Sequence, residues 1–378
     1  MVSSAEQQDR VFMARALKLA AQGLYTTWPN PRVGCVLVKD GLVVGEGFHV
    51  YAGEGHAEVN ALREAGVAAR GATAYVTLEP CSHHGKTPPC AQGLIDAGVM
   101  RVVAAMVDPN PQVAGRGIKL LQDAGIKATA GLLDAEACAL NPGFIKRMET
   151  GQPYVRLKTA ASLDGRTAMQ SGESQWITGP AARLDVQRLR AQSSVIITGV
   201  DSLLQDDSAL TVRAPELLEQ AEHPVRTQPL RVVLDSQLRT PLTAKILQQP
   251  GRTLIATLST DKAAIQALQA AGADVKVVEA DAGRICLSTL LKYLAETEQA
   301  NEILVETGAT LAGSFVEAGL VDELIVYMAM TLLGSDARPL YELPFKRMQQ
   351  QIRLQLVDSR QIGDDLRLTL QPVSPEKN

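Results

Sequence analysis

Basic charge is in slight deficit in this chain: 37 Lys and Arg stand against 41 Asp and Glu, a formal net charge of −4. A protein that grips nucleic acid by its phosphates usually carries a basic surplus, so that class is disfavoured. No run approaches 18 consecutive apolar residues, and Met1 to Arg10 is polar and lacks the apolar stretch of a signal peptide. The expectation is a soluble, cytoplasmic protein. Cysteine is sparse and odd in number; Cys35, Cys81, Cys90, Cys138 and Cys286 are too scattered to form a disulfide framework. A Gly-x-Gly-x-x-Gly turn is also missing, so no Rossmann fingerprint marks a dinucleotide site.

What is present is ordinary globular composition, 46% hydrophobic and 21% charged, over 378 residues. That length argues for two domains, each large enough to bury a core. Helical spacing runs over 9–22, and strands follow at 33–38 and 42–47, joined at Lys39-Asp40-Gly41, where Asp-Gly is a strong hairpin signal. Helix 56–65, strand 73–78, helix 90–97, strand 101–107 and helix 117–124 alternate thereafter. Such alternation predicts an α/β sheet covered by helices. The stretch Asn141 to Pro153 holds two prolines and two glycines and reads as a join between domains, 1–150 and 151–378. Beyond it strands are predicted at 154–159, 194–198, 230–234, 253–257 and 302–306, a second α/β domain that does not copy the first.

Of the five histidines, His49, His56, His83 and His84 fall in the segment 49–90 together with Cys81 and Cys90. His56-Ala57-Glu58 opens a predicted helix, Glu79-Pro80-Cys81 follows a predicted strand, and Cys90 starts the next helix after Pro88-Pro89. One imidazole and two thiolates leave a fourth tetrahedral position for water, the arrangement of a catalytic zinc. Helix N-termini favour the thiolates. Glu58 is placed to take a proton from that water and return it to a leaving amine. Singly, each residue has a plainer reading, a buried thiol or a solvated carboxylate, and Cys35, Cys138 and Cys286 take it. The joint His-x-Glu and Pro-Cys pattern matches zinc nucleobase deaminases.

The spacing is more specific still. Eight residues separate Cys81 from Cys90 where the generic signature has two, with Asn30-Pro-Arg-Val-Gly34 before them and the Asp108-Pro-Asn-Pro run to Gly117 after. Together with Ala161-Ser-Leu-Asp-Gly165, Ser174-Gln-Trp-Ile-Thr178 and Leu320-Val-Asp-Glu-Leu324, the chain closely resembles the bifunctional riboflavin-biosynthesis deaminase/reductase family. That resemblance implies a cytidine-deaminase-like N-terminal domain with zinc and a dihydrofolate-reductase-like C-terminal domain with NADPH. The first would deaminate 2,5-diamino-6-ribosylamino-4(3H)-pyrimidinone 5′-phosphate, and the second would reduce the ribosyl group to ribityl. It further implies zinc ligands His56, Cys81 and Cys90, and deaminase substrate contacts at Asn30, His49, His83, Lys86, Asp108 and Asn110. Asp108 and Asn110 read equally as turn residues, because Asp-Pro-Asn-Pro is good turn chemistry.

For the reductase, the resemblance implies cofactor contacts at Ala160, Trp176, Ser202, Asp206 and Ser236, and along Gly308, Ala309, Thr310, Leu311, Ala312, Gly313 and Ser314. That last run leads strand 302–306 into a helix whose N-terminal amides suit a pyrophosphate. Trp176 reads as a cover for the cofactor or as a core residue. Substrate contacts implied are Ser174, Arg190, Leu210, Arg213 and Glu306, the two arginines suiting phosphate, with a solvated helix face as the plainer reading of Arg190. Lys158 and Glu306 are expected to position the ribosyl carbonyl and manage its proton. Arg239, near Ser236, is the nearest candidate for a 2′-phosphate contact. Two departures from the family pattern, Ser208 and Ala309, are expected to slow the reductase, Ala309 by restricting backbone that glycine leaves free. Expected partners are phosphorylated pyrimidines and further copies of the chain in a homo-oligomer, with no nucleic acid and no membrane. Two alternatives stay open: an enzyme that deaminates a nucleoside or tRNA base without reducing anything, and a non-catalytic zinc-stabilised binding module.

Overall fold

The computed structural model describes residues 4–82, 89–111 and 113–373. The chain divides into two compact units, Met1–Gln152 and Pro153–Asn378. Unit 1 runs α1 (Ser4–Gln22), β1 (Gly34–Lys39), β2 (Leu42–Phe48), α2 (Ala57–Ala65), β3 (Thr73–Leu78), α3 (Cys90–Asp96), β4 (Arg101–Met106), α4 (Arg116–Asp123), β5 (Lys127–Ala130), α5 (Asp134–Leu140) and α6 (Pro142–Thr150). Its sheet has the order β2-β1-β3-β4-β5, antiparallel from β2 to β3 and parallel from β3 to β5. The β1–β2 turn sits at Asp40 and Gly41, with φ of 52° and 77°, the left-handed pair that an Asp-Gly hairpin adopts. The buried face of α2 is Ala57, Ala61 and Ala65, four residues apart, against the apolar side of β1.

The division between the two units falls inside the segment 141–153, at 152/153, and most of that segment is the helix α6. Pro142 occupies the first turn of α6, where a missing N–H costs nothing, and Gly151 ends the helix at φ 69°. The side chain of Asn141 accepts from the Arg32 N–H at 2.8 Å and donates to the Arg32 carbonyl at 3.0 Å, tying this helix to the loop ahead of β1. β5 and α5 also add to the predicted elements; in β5 only Ala128 is buried, so no apolar alternation marks it.

Unit 2 contains β6 (Tyr154–Ser162), β7 (Arg166–Ala168), β8 (Val195–Gly199), β9 (Leu230–Leu234), β10 (Thr253–Thr257), β11 (Asp274–Val277), β12 (Ala280–Asp281), β13 (Arg284–Ile285), β14 (Glu302–Glu306), β15 (Glu323–Ala329), β16 (Arg338–Pro339), β17 (Leu354–Ile362) and β18 (Asp365–Pro372). Nine of them form one sheet in the order β11-β10-β9-β8-β14-β6-β15-β18-β17. It is parallel from β11 to β15 and closes with two antiparallel strands. Ile303, Leu304 and Val305 of β14 are fully buried, as a central parallel strand covered on both faces requires.

Candidate active sites

In unit 1, α2 and α3 both begin at one place beyond the C-terminal end of β3. His56 is the residue ahead of α2, and Cys90 opens α3. His56 Nδ1 lies 3.2 Å from Cys90 Sγ and 3.7 Å from Cys81 Sγ, and one donor atom from each of the three falls within 4.8 Å of the others. Tetrahedral zinc, with Zn–S of about 2.3 Å and Zn–N of about 2.0 Å, needs donors roughly 3.5–3.8 Å apart. The donor set and its spacing fit that ion. The Cys90 thiol, with His56, stabilises a thiolate on Cys81, drawing it down to about 4, and Cys90 is driven up for the same reason. Glu58, on the first turn of α2, is buried at 3% exposure; burial, then the Cys81 charge, pushes its carboxyl up to about 7. A buried carboxyl held above its ordinary range beside the candidate metal ligands has the chemistry of a proton shuttle.

Around this cluster, Asn30 Nδ2 lies 3.0 Å from His49 Nε2, and the His49 ring meets His56 edge-on at 5.4 Å between centroids. His49 is buried, which lowers its pKa, and its Nδ1 lies 3.1 Å from the Gly55 carbonyl. Asp108 and Asn110 are half-buried, and the Asp108 carboxylate accepts from the Asn110 N–H at 2.9 Å, an Asx turn of the kind their sequence allows. His83, His84 and Lys86 lie outside the described residues.

Sequence reading missed Glu79. It is buried at 3% exposure and accepts four backbone N–H groups, from Asp108 (3.1 Å), Gly115 (2.9 Å), Gly117 (2.8 Å) and Ile118 (3.2 Å). One carboxylate thereby pins the 108–118 segment beside Cys81. Gly117 completes the joint: a Cβ there would lie 1.9 Å from the Pro80 carbonyl oxygen. The available signal was a carboxylate next to a candidate ligand at the end of an apolar strand. Glu79→Gln places an NH2 against N–H donors, and we expect it to destabilise unit 1 by about 2–4 kcal/mol. Denaturant unfolding checks this; an unchanged midpoint would show that the four bonds contribute nothing net.

In unit 2, Glu306 ends β14 and sits among three cations. Arg190 donates to it from Nε at 2.6 Å and Nη2 at 3.0 Å, and Lys158 Nζ lies 3.9 Å away. Burial alone would raise the Glu306 pKa, but Arg190, then Lys158 and Arg213, outweigh it and hold the carboxyl below its ordinary range. Burial lowers Lys158 and raises Asp206, and both lie close enough to feel each other. Arg190 is no solvated helix residue. It is 8% exposed, and its remaining Nη1 donates to the Thr211 carbonyl. Arg213 is exposed, with its backbone N–H held by Gln187 at 2.9 Å. Leu210 is buried with φ 50°, and Ser174 is half-buried.

Trp176 is 68% exposed with the Arg183 guanidinium 4.4 Å above its ring, which removes the core reading. Gly308 caps a helix at Ala309–Glu317, and its N–H donates to Ser202 Oγ at 3.0 Å. Ala309 is the first helical residue, a position alanine takes without strain, so the expected restriction does not arise. Gly313 is buried, and a Cβ there would lie 2.0 Å from the Glu342 carbonyl oxygen, so this glycine serves packing. Thr310, Leu311, Ser314 and Ser236 line one cavity. Ala160 lies within β6.

Residues 6–106 match the cytidine and deoxycytidylate deaminase zinc-binding region, and residues 153–368 match the RibD C-terminal domain. The chain is 55% identical over 372 residues to the riboflavin biosynthesis protein RibD of Escherichia coli K12, covering 96% of this chain and 99% of that one. Against the Haemophilus influenzae RibD it is 51% identical, over 97% and 98% of the two chains. Its fold superposes on Acinetobacter baumannii RibD with a TM-score of 0.91 at 49% identity, covering 98% of this chain and 100% of that one. A Thermotoga maritima protein described as a diaminohydroxyphosphoribosylaminopyrimidine deaminase/5-amino-6-(5-phosphoribosylamino)uracil reductase superposes with a TM-score of 0.84 at 29% identity, again over 98% and 100%.

Proposed function

The chain belongs to the RibD family, bifunctional deaminases and reductases of riboflavin biosynthesis, and we propose that unit 1 removes an amine from 2,5-diamino-6-ribosylamino-4(3H)-pyrimidinone 5′-phosphate and unit 2 reduces the product's ribosyl group to ribityl. The observation that carries this reading is the His56, Cys81 and Cys90 cluster with Glu58 buried beside it, in one chain with the Lys158–Glu306 site. Among the described residues the cluster has three protein ligands with Glu58 buried beside them, which favours an enzyme over a closed zinc-stabilised binding module with four.

Zinc, which His56, Cys81 and Cys90 would hold, supplies a Lewis acid and an acidified water at neutral pH. Glu58 takes the proton of the attacking water and delivers it to the departing amine, so that water replaces the amine as a carbonyl oxygen and ammonia leaves. Asn30, His49, Asp108 and Asn110 contact the heterocycle, and His83 and Lys86 meet the phosphorylated ribose. In unit 2, NADPH supplies a hydride. Ala160, Trp176, Ser202, Asp206, Ser236 and the 308–314 segment border that cofactor. Lys158 hydrogen-bonds the ribose ring oxygen and gives it a proton as the bond from that oxygen to C1′ breaks, C1′ being the carbon reduced, while Glu306 holds the Lys158 ammonium in place. Arg213 meets the substrate phosphate, Ser174 and Leu210 border the sugar, and Arg190 acts by orienting Glu306 and the Thr211 carbonyl.

The same reading makes small phosphorylated pyrimidines the partners, in the cytoplasm, without nucleic acid; no described helix is long and apolar enough to cross a membrane. Exposed Leu354, Leu356 and Val357 on the edge strand β17 support association of copies into a homo-oligomer. The test is ammonia release from the diamino substrate, followed by NADPH oxidation on the product. Failure of the first reaction overturns the deaminase reading, and failure of the second overturns the reductase reading. A third prediction follows from Gly308, where a Cβ would meet Ser202 Oγ at an ordinary 3.5 Å. Gly308→Val should fold yet bind NADPH about tenfold more weakly, because its branches crowd the backbone that faces the pyrophosphate. Unchanged affinity by calorimetry would remove this loop from the cofactor site.

A further inference from the structure

Between helix Val200–Asp206 and helix Pro215–Leu218 of unit 2, residues 207–214 form neither helix nor strand. Leu210, Thr211, Val212 and Ala214 are nevertheless buried, so the backbone there needs hydrogen-bond partners that a helix or sheet would otherwise supply. Leu210 also holds φ at 50°, in the left-handed region, which a leucine keeps only where its surroundings impose it.

Side chains supply the partners. Gln228, two residues ahead of β9, accepts from the Val212 N–H at 2.8 Å and donates from Nε2 to the Val212 carbonyl at 2.9 Å, the pair of bonds a neighbouring strand would make. Gln187, on the helix Pro180–Gln192, accepts from the Arg213 N–H at 2.9 Å. Three residues further along the same face of that helix, Nη1 of Arg190 donates to the Thr211 carbonyl at 3.2 Å while its other donors hold Glu306. Thr211, Val212 and Arg213 are thus each tied by a side chain from outside the segment. Gln187 is buried, and Gln228 packs so close to Gly251 that a Cβ on that glycine would lie 2.8 Å from its own. An apolar side chain would fill either place without the desolvation cost of an amide, so what the amides add is the placement of this backbone. The Arg213 side chain follows directly from the last tie, and the Glu306 carboxyl feels its charge, which brings that guanidinium to the Lys158–Glu306 site.

We propose that Gln187 and Gln228 are positioning residues of the reductase, setting the backbone of 211–213 so that Arg213 meets the substrate's 5′-phosphate. The assignment rests on the reductase reading of unit 2 and deepens it. Neither glutamine touches the substrate; both act through the backbone that carries the guanidinium, whose planar fork must face the phosphate oxygens to bond two of them.

NADPH oxidation by the full zinc-loaded chain, on the already deaminated substrate with and without its 5′-phosphate, tests the assignment. Gln187→Met and Gln228→Met keep the volume and remove the bonds. Each should raise KM for the phosphorylated substrate about ten- to a hundredfold, with kcat changed less, as a displaced binding contact does. KM for the unphosphorylated substrate and the affinity for NADPH should change less than about twofold, since neither involves Arg213, whereas a general loss of structure would move all three. In an Arg213→Ala chain, Gln187→Met should add almost nothing, because the two residues then act on a contact already lost. If Gln228→Met unfolds unit 2, Gln228→Glu, which keeps the acceptor for the Val212 N–H and loses only the donor, carries the same comparison with a smaller rise. Equal rises for both substrates, or no rise for either, would overturn the proposal while leaving the reductase reading. Unchanged KM for the phosphorylated substrate in Arg213→Ala would overturn the placement of Arg213 itself, and a parent chain that oxidised no NADPH would overturn the reductase reading.

Discussion

Glu58→Gln should lower deamination by about 10²- to 10⁴-fold with zinc fully bound, the range that a positioned general acid–base supplies. The substitution preserves shape inside a tightly enclosed position, since Glu58 is 3% exposed and faces Cys81, Cys90 and His56. It removes the carboxylate that carries the proton from water to amine. The carboxyl is prepared for that transfer by burial and by the nearby thiolate, which lift it to about 7. The residues proposed for the reductase site, Lys158, Arg190 and Glu306, all belong to unit 2. Given the already deaminated substrate, the variant should therefore oxidise NADPH at close to the parent rate. Ammonia release at the parent rate would remove Glu58 from the proton path. Loss of NADPH oxidation would show that the two chemistries are not independent.

The second large effect concerns the metal. The parent should carry about one zinc per chain, and Cys90→Ala should leave almost none, with deamination lost alongside, because a tetrahedral ion left with two protein ligands is held far more weakly. His56→Ala and Cys81→Ala should behave the same way, whereas Cys138→Ala, outside the cluster, should retain the metal. His83→Ala and His84→Ala should retain it as well. Zinc content by atomic absorption settles the ligand set directly. If His83→Ala stripped the ion and Cys90→Ala did not, the assignment of Cys90 would be wrong.

The chemistry of this protein was legible wherever it is local in the chain. A histidine two residues before a glutamate at a helix start, and a Pro-Cys after an apolar strand, declare their donor types directly. The Asp-Gly turn declares its φ values because side-chain sterics at two residues decide them. The continuous apolar run Ile303 to Val305 marked a strand, and the structure shows it to be a parallel strand buried on both faces, where burial acts on consecutive residues. At 141–153 proline and glycine marked the stretch where the two units divide but not the helix within it, because the same two residues that break a helix in its interior are favourable at its first turn and just past its end.

Tertiary structure decided what depends on partners far along the chain. Glu79 reads as one acid among many until the fold brings it four N–H groups from 29 to 39 residues away. Arg190 looks like a surface arginine until Glu306, 116 residues later, takes two of its donors in a buried site. Gln187 carries no sequence signal of a role, and meets the Arg213 N–H, 26 residues later, only because the fold brings that irregular segment onto its helix. The physical reason is common to all three: the identity of a side chain sets which bonds it can make, but burial and the position of distant groups set which of them it does make.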